Sequence, residues 1–504
     1  MSWLDNAISV ISPKIGFERL QYRHARELQQ RSYDAASNTR RTKNWKAGST
    51  SQNAEVTFSL QTLRNRSRDL VRNNPYAGKA IGILTDNVIG CGIQAAPVGK
   101  KTKIKPILDA WNGWANSTMC DIGRQMNFAG LQRLFSRTMF ESGECIIRQV
   151  RRNNGAGNIP IALQVLEPDH IDTNKAGNVT GGFIVQGVEY NNYGERVAYW
   201  LYDVHPGDIM RNISFISKRV PAEEVIHLYR VDRPGQVRGI PEGVSAFIRM
   251  KDLDSYADAQ LMRQRIAACF TVFIQDTVNV NGAAADYANK TLEPGAMEVL
   301  PPGRTMTFTQ PPLVQGYDEY TRTVIREFSI AYGVTYEALT GDLSRVNFSS
   351  ARMGFLEFGR RVEMLQELVI IPMALNVIWD WFIIGARVAG IINKPVAAGW
   401  TCPKRQAVDP VKEIAAIKAA VRAGLMSRPE AIRQLGYDPT DVTEEIAEDN
   451  KLLDEKKILL DTDPRADATR TNAVNGIVDT GNGPNDGTNT NNTNVKNKKG
   501  GNDN

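Results

Sequence analysis

The sequence predicts an α+β protein. Three observations carry that prediction. Residues 144–230 alternate apolar and polar side chains with period two and are punctuated by Asn/Gly turns. Stretches on both sides repeat apolar residues every three or four positions, as helices do. A polar loop, Thr340 to Ser350, sits between two strong helical patterns and holds one aromatic, Phe348. Helices segregated around an antiparallel or mixed sheet define the class.

Length and charge bound the rest. The chain has 504 residues, 42% hydrophobic and 23% charged, ordinary values for a protein with about three domains' worth of core. Residues 1–72 hold 13 Lys and Arg against 6 Asp and Glu, or +7, so the whole basic excess of a chain with net charge +6 lies in this N-terminal part. Five scattered cysteines, none in a C-x-x-C pair, imply reduced thiols and a cytosolic origin. The start, MSWLDNAISVISPK, has no basic region ahead of its apolar run and is not expected to be a signal peptide. Residues 368–390 are long and apolar enough to span a membrane. They contain Asp380 and Arg387, however, and a mid-span charge costs about 3 kcal/mol. A helix buried among partners is the better reading, with a membrane-associated pore as the competing one.

In chain order, residues 1–66 read as a basic, polar arm with a weak helical pattern near Phe17–Gln30. A helix is predicted over 67–90, then others over 104–117 and 126–142. Five strands are expected between 144 and 230: ECIIRQV, IALQVLEP, GGFIVQGVEY, ERVAYWLY and EEVIHLYRV. A loop, RVDRPGQVRGIPEG, leads to a long, polar helix over 244–272, whose thin apolar stripe suits side-by-side packing. Residues 273–315 form a small inserted module with a strand, TVFIQ, and four prolines near its end. A helix over 316–332 closes at Gly333. Ser349 or Ser350 is expected to cap the long apolar helix that follows, kinked at Pro372. Residues 408–457 read as a helical hairpin or trio, stopped by Gly424 and restarted by Ser427. The last 44 residues hold 11 Asn and no aromatic, and are expected to be disordered.

Enzyme signatures are missing. The chain has no G-x-x-x-x-G-K-[ST], G-x-S-x-G, H-E-x-x-H or G-x-G-x-x-G. Of His24, His170, His205 and His227, the second and fourth read as structural histidines in sheet margins. Glu444–Glu445 reads as a solvated helix face. No catalytic residue, metal or cofactor is expected. A DNA-processing accessory protein or nuclease subunit stands as the alternative, but the clustered carboxylates a nuclease needs are not evident.

Four motifs then carry a resemblance: R-D-L-V-R-N-N-P-Y-A at 68–77, R-P-G-Q-V-R-G-I-P at 233–241, L-P-P-G at 300–303, and F-S-I-A-Y-G-V-T-Y-E-A-L-T-G-D at 328–342 running into S-S-A-R. Over about residues 15–460 the chain resembles a tailed-phage portal protein of the lambda type. The resemblance implies a ring, usually of twelve subunits, and a portal fold. Residues 67–240 would be an α/β wing, 241–272 and 316–334 the two stem helices, and 273–315 a small β-containing clip. Residues 335–351 would be the tunnel loop, 352–407 a long kinked wing helix and wing return, and 408–460 an α-helical crown, ahead of the tail 461–504.

It also implies double-stranded DNA passing through the channel. The implied partners are terminase large subunit, major capsid and scaffold proteins, and head-completion or adaptor proteins, with no membrane. The implied location is the portal vertex of the virion, after synthesis in the bacterial cytoplasm. Within the loop, Arg345, Asn347, Phe348, Ser349 and Ser350 are the expected DNA-facing residues, with an Arg345–Asp342 ion pair and packing of Phe348 on the next subunit's loop as competing roles. Residues 241–351 hold 9 Lys and Arg against 13 Asp and Glu. That balance suits a conduit, because strong phosphate contacts would hold DNA rather than let it slide.

Overall fold

A computed structural model describes residues 40, 44, 48–97, 101–152, 158–208, 210, 216–268, 272–276, 304–308, 316–392, 394–403, 410–437, 439–458 and 460. Most of the arm 1–66, most of the clip, His24 and the tail fall outside them. The described chain mixes helix and sheet and divides into two compact units. One comprises residues 1–92 and 99–397, the other 93–98 and 398–504.

The first unit begins with helices α1 (Gln52–Thr57), α2 (Leu60–Asn73) and α3 (Pro75–Val88). The single helix expected over 67–90 is thus two. Proline disfavours helical backbone in the residue before it, so Asn74 turns extended, and its side chain then accepts from the Tyr76 and Ala77 amides as an N-cap. Nor are residues 52–66 loose arm: they are helical, and Arg64 is 1% exposed. In the second unit, β1 (Gln94–Ala95) pairs with a later strand. Back in the first, α4 (Lys101–Ala115) and α5 (Phe128–Ser142) follow close to expectation.

Residues 144–229 form eight strands rather than five. An antiparallel sheet of three has the order β3-β2-β9, with β2 Glu144–Arg151, β3 Ile161–Leu166 and β9 Val225–Tyr229. A meander of five runs β4 (Gly177–Val179), β5 (Gly182–Val185), β6 (Val188–Asn191), β7 (Arg196–Leu201) and β8 (Lys218–Pro221). GGFIVQGVEY is therefore a hairpin, not one strand. Gln186 and Gly187 both take positive φ, 49° and 81°, which suits a tight two-residue turn. Buried Ile146, Val188, Tyr199, Leu201, Val225 and Val237 pack together between the sheets.

Next, α6 runs over Phe247–Ala268 after a 3₁₀ turn, so it is about 33 Å long rather than reaching residue 272. Val272 instead opens β10 (Val272–Asp276), which pairs antiparallel with β11 (Arg304–Phe308). Helix α7 (Tyr317–Tyr332) lies beside α6, where Tyr256 stacks on Tyr317 and meets Tyr320 edge-on. Gly333, at φ 61°, ends α7 as expected.

A short α8 (Tyr336–Thr340) precedes the loop, and α9 (Phe348–Leu365) follows it. From Gln366 to Leu375 the helix widens to a π-helix around Pro372, then continues as α10 (Asn376–Val388). The proline ring cannot donate and crowds the carbonyl four residues back. A wider turn relieves that clash.

Ser349–Val388 is the one helix among the described residues long and apolar enough to cross a membrane, and 56% of its most apolar window is buried within the protein. Trp379 and Phe382 of α10 pack on Trp111 of α4, at 5.0 Å between ring centroids in each case. The indole N–H of Trp381 donates to the Glu223 carbonyl at 2.9 Å. Asn376 and Asp380 lie on the exposed side.

In the second unit, β12 (Trp400–Thr401) pairs with β1, and three helices follow: α11 (Pro410–Arg422), α12 (Arg428–Gln434) and α13 (Pro439–Lys456). Gly424 at φ 73° and the N-cap Ser427 punctuate them as the sequence foretold.

Candidate functional site

The loop Gly341–Asn347 is exposed yet tightly specified. Gly341, at φ 75°, ends α8 and donates to the Glu337 carbonyl at 2.7 Å. The Asp342 carboxylate accepts from the Ser344 amide at 3.1 Å and its hydroxyl at 2.6 Å. Those bonds hold the Asp342 carboxyl below its usual range. No contact ion pair joins Arg345 to Asp342 among the described residues; both Ser344 bonds go to Asp342 Oδ1.

The cap of α9 is Asn347, one turn earlier than Ser350 and two residues before Ser349. Its carboxamide oxygen accepts from the Ser350 amide at 2.8 Å. The Ser350 hydroxyl in turn accepts from the Asn347 amide at 3.2 Å and donates to the Asn347 carbonyl at 3.0 Å. This reciprocal box outcompetes a serine cap because it satisfies donors at both ends of the turn. Ser350 and the Asn347 carboxamide oxygen are therefore engaged within the loop, while Arg345 and Ser349 are exposed. The side chain of Phe348 lies outside the described residues.

Two glycines and a chain of ion pairs anchor the helices on either side. The Arg361 guanidinium of α9 lies against Gly333, where any β-carbon would overlap it. Arg361 donates to Glu242 at 3.1 Å, and Glu242 also pairs with Arg230. Burial pushes the Glu242 carboxyl up, against the pull of those two arginines. The Tyr332 ring fills the place of a β-carbon on Gly243, at φ 76°. Helix α7, helix α9 and the end of the 230–243 loop thus share one junction.

The same loop is tied, through Arg238 and Gly239, to a fully buried carboxylate. Glu144 accepts from Arg238 Nε at 3.0 Å and Nη2 at 2.5 Å, Arg64 Nη2 at 2.7 Å, the Gly239 amide at 2.9 Å and His227 Nε2 at 2.8 Å. Burial alone would raise its pKa. Arg238, His227 and Arg64 reverse that and hold it well below the carboxylate range. Burial lowers His227 to about 4, although Glu144 opposes the shift. His227 is thus neutral at pH 7 and donates from Nε2, a structural histidine as expected. His170 is another: its Nδ1 lies 3.0 Å from the Tyr202 carbonyl.

Sequence reasoning missed this network, because Arg64 lies in the stretch read as a basic, polar arm. Nor did it bring Asp169 together with Glu167 and His205, whose ligand atoms lie within 4.8 Å of one another. Arg68 fills the place a metal ion would take there, bonding Asp169 at 2.6 Å and Glu167 at 2.9 Å. Burial works against ionisation of Asp169, yet Arg64 and Arg68 bring it down to about 2. The arrangement is an ion-pair cluster that joins α2 to the segment after β3.

A polar loop braced between two helices, beside a sheet domain clamped by a buried carboxylate, is a scaffold for presenting a surface. Among the described residues it brings together no nucleophile and base. The profile of the phage portal proteins, lambda family, matches residues 38–366, and the chain belongs to that family. Its function is that of a portal, the connector between phage head and tail. A probable portal protein of Halomonas phage phiHAP-1 is 26% identical over 448 residues, covering 83% of this chain and 86% of the relative. Portal protein B of Escherichia phage lambda is 22% identical over 453 residues, covering 79% and 84%. The portal protein of Escherichia phage N15 is also 22% identical, covering 78% and 84%. Among solved structures, a chain from the neck of a native GTA particle aligns with 76% of this chain and 94% of its own length, at 14% identity and a TM-score of 0.48.

Proposed function

We propose that the chain assembles as a ring of twelve copies around a channel for double-stranded DNA, with residues 341–347 at its narrowest part. The observation that carries this reading is the braced, exposed loop in a chain of the portal family. A constriction must hold its shape while polymer slides past. This loop does so through its own turns and caps, leaving one arginine, Leu343 and neutral polar groups outward. The deficit of positive charge over 241–351 agrees, since a strongly basic lining would retain phosphates.

In this reading residues 67–240 form the wing, α6 and α7 the stem, and β10 with β11 the base of the clip. Helices α9 and α10 form the wing helix, and α11 to α13 the crown. The exposed Asn376 and Asp380 meet polar groups of a neighbouring copy. The clip docks the terminase large subunit during packaging and head-completion or adaptor proteins afterwards. Capsid and scaffold proteins surround the ring at one vertex of the virion, after synthesis in the host cytoplasm. The protein performs no catalysis of its own; the motor supplies the work.

The test separates DNA contact from loop stability. Arg345→Ala and Ser349→Ala remove outward groups without touching the cap. Both variants should form rings and alter packaged genome length or genome retention. Wild-type packaging and retention in the double variant would refute the contact role of these residues.

A further inference from the structure

We propose that α11 of one copy docks against α13 of the next, through a basic–apolar stripe that meets an acidic one. This rests on the ring reading above and names a surface that closes the ring.

The three C-terminal helices have almost no core of their own. Neither α11 nor α13 has a buried residue, and α12 has one, Ala431. Helices of 13 and 18 residues do not hold themselves together by propensity, and need a packed face. Exposed side chains supply one on each. On α11 and the turn after it, Val411, Ile414, Lys418, Arg422 and Leu425 are all exposed. The first four, spaced by three or four, lie within one narrow stripe of α11, and Leu425 follows the turn at Gly424. On α13, Asp441, Glu445, Glu448, Leu452 and Glu455 are exposed and fall in one stripe by the same spacing.

The charges are opposite and segregated. Residues 410–434 hold five Lys and Arg against two Asp and Glu, whereas residues 439–456 hold seven Asp and Glu against two Lys. Lys418, Arg422, Glu445, Glu448 and Glu455 make no ion pair within the chain among the described residues. These five charges are thus left for a partner, and a single chain displays both halves of a contact. Two different surfaces on one chain, complementary to each other, make a head-to-tail interface, and a closed ring is what such interfaces build when the rotation closes. The apolar members, Val411, Ile414 and Leu425 against Leu452, supply buried area, and the charges set the register and the order of copies.

The experiment uses two full-length variants. One is Lys418→Glu/Arg422→Glu, which makes the α11 stripe acidic. The other is Glu445→Lys/Glu448→Lys, which makes the α13 stripe basic. Ring formation is read by mass photometry in moderate salt. Each variant alone places like charges at every junction, and should need about tenfold or more higher subunit concentration to form rings than wild type. Mixed one to one, the variants restore opposite charges at every junction when they alternate, and rings should return at near wild-type concentration.

Rescue on mixing cannot come from contacts inside one chain, and it shows that both variants fold. Assembly of either variant alone at wild-type concentration would overturn the inference, as would failure of the mixture. Wild-type protein that forms no ring would overturn the portal-ring reading itself, a distinct result.

Discussion

Replacing Glu144 by Gln should be among the most damaging changes available outside the loop. The side chain is fully buried, and the two guanidiniums it neutralises, Arg64 and Arg238, are each 1% exposed. In Glu144→Gln, Arg64 keeps Asp169 at 3.4 Å, while Arg238 keeps the Gln186 carbonyl at 3.2 Å. One buried guanidinium is then left without a counter-charge. Breaking one side of a buried pair in this way costs about 3–5 kcal/mol. Whole-domain stabilities are about 5–15 kcal/mol, so a marginal chain would unfold.

The assay is urea unfolding of the purified chain, followed by tryptophan fluorescence. Trp111, Trp114 and Trp379 lie in one buried cluster and report on it directly. The midpoint should fall with little change in slope. Glu144→Gln combined with Arg238→Met removes the stranded charge and should recover at least half of the loss. A single-variant cost under about 1 kcal/mol would refute the reasoning. So would a double variant as unstable as the single, because the cost would then not be electrostatic.

Two further outcomes follow from the same geometry. His227 is lowered to about 4 from an ordinary 6.5, so the unfolded chain binds more protons between those values. Stability should therefore hold above about pH 6.5 and fall by about 3 kcal/mol as pH drops to 4. His227→Gln, which keeps a donor for Glu144 but does not titrate, should flatten that window in urea melts at successive pH. Asn347→Ala should cost the α9 cap about 1 kcal/mol, whereas Asn347→Ser should keep most of it. Hydrogen exchange at the Ser349 and Ser350 amides distinguishes the two.

Much of this architecture was legible because it depends on local chemistry. Gly333, Gly424 and Ser427 punctuate helices through backbone preferences that any context respects, and the period-two block marks a sheet. The misreadings share a cause as well. Gln186–Gly187 lacks the usual Asn-Gly signature, so a hairpin looked like one strand. The Asn74–Pro75 break lay inside a continuous apolar pattern. Asn347 wins the cap over Ser349 only through its reciprocal bonds with Ser350. The π-helix at Gln366–Leu375 accommodates Pro372 by widening, which periodicity does not reveal. The pairing of Glu144 with Arg64 and Arg238 joins positions 80 and 94 residues apart. No local pattern encodes such a contact, and charge composition alone placed Arg64 in a basic, polar arm.

The most direct measurement is a cryo-EM reconstruction of the purified full-length protein. The account predicts a closed ring with an axial hole, with residues 341–347 of every copy lining its narrowest part and Arg345 facing inward. A monomer, or a ring that carries this loop on its outer surface, would contradict it.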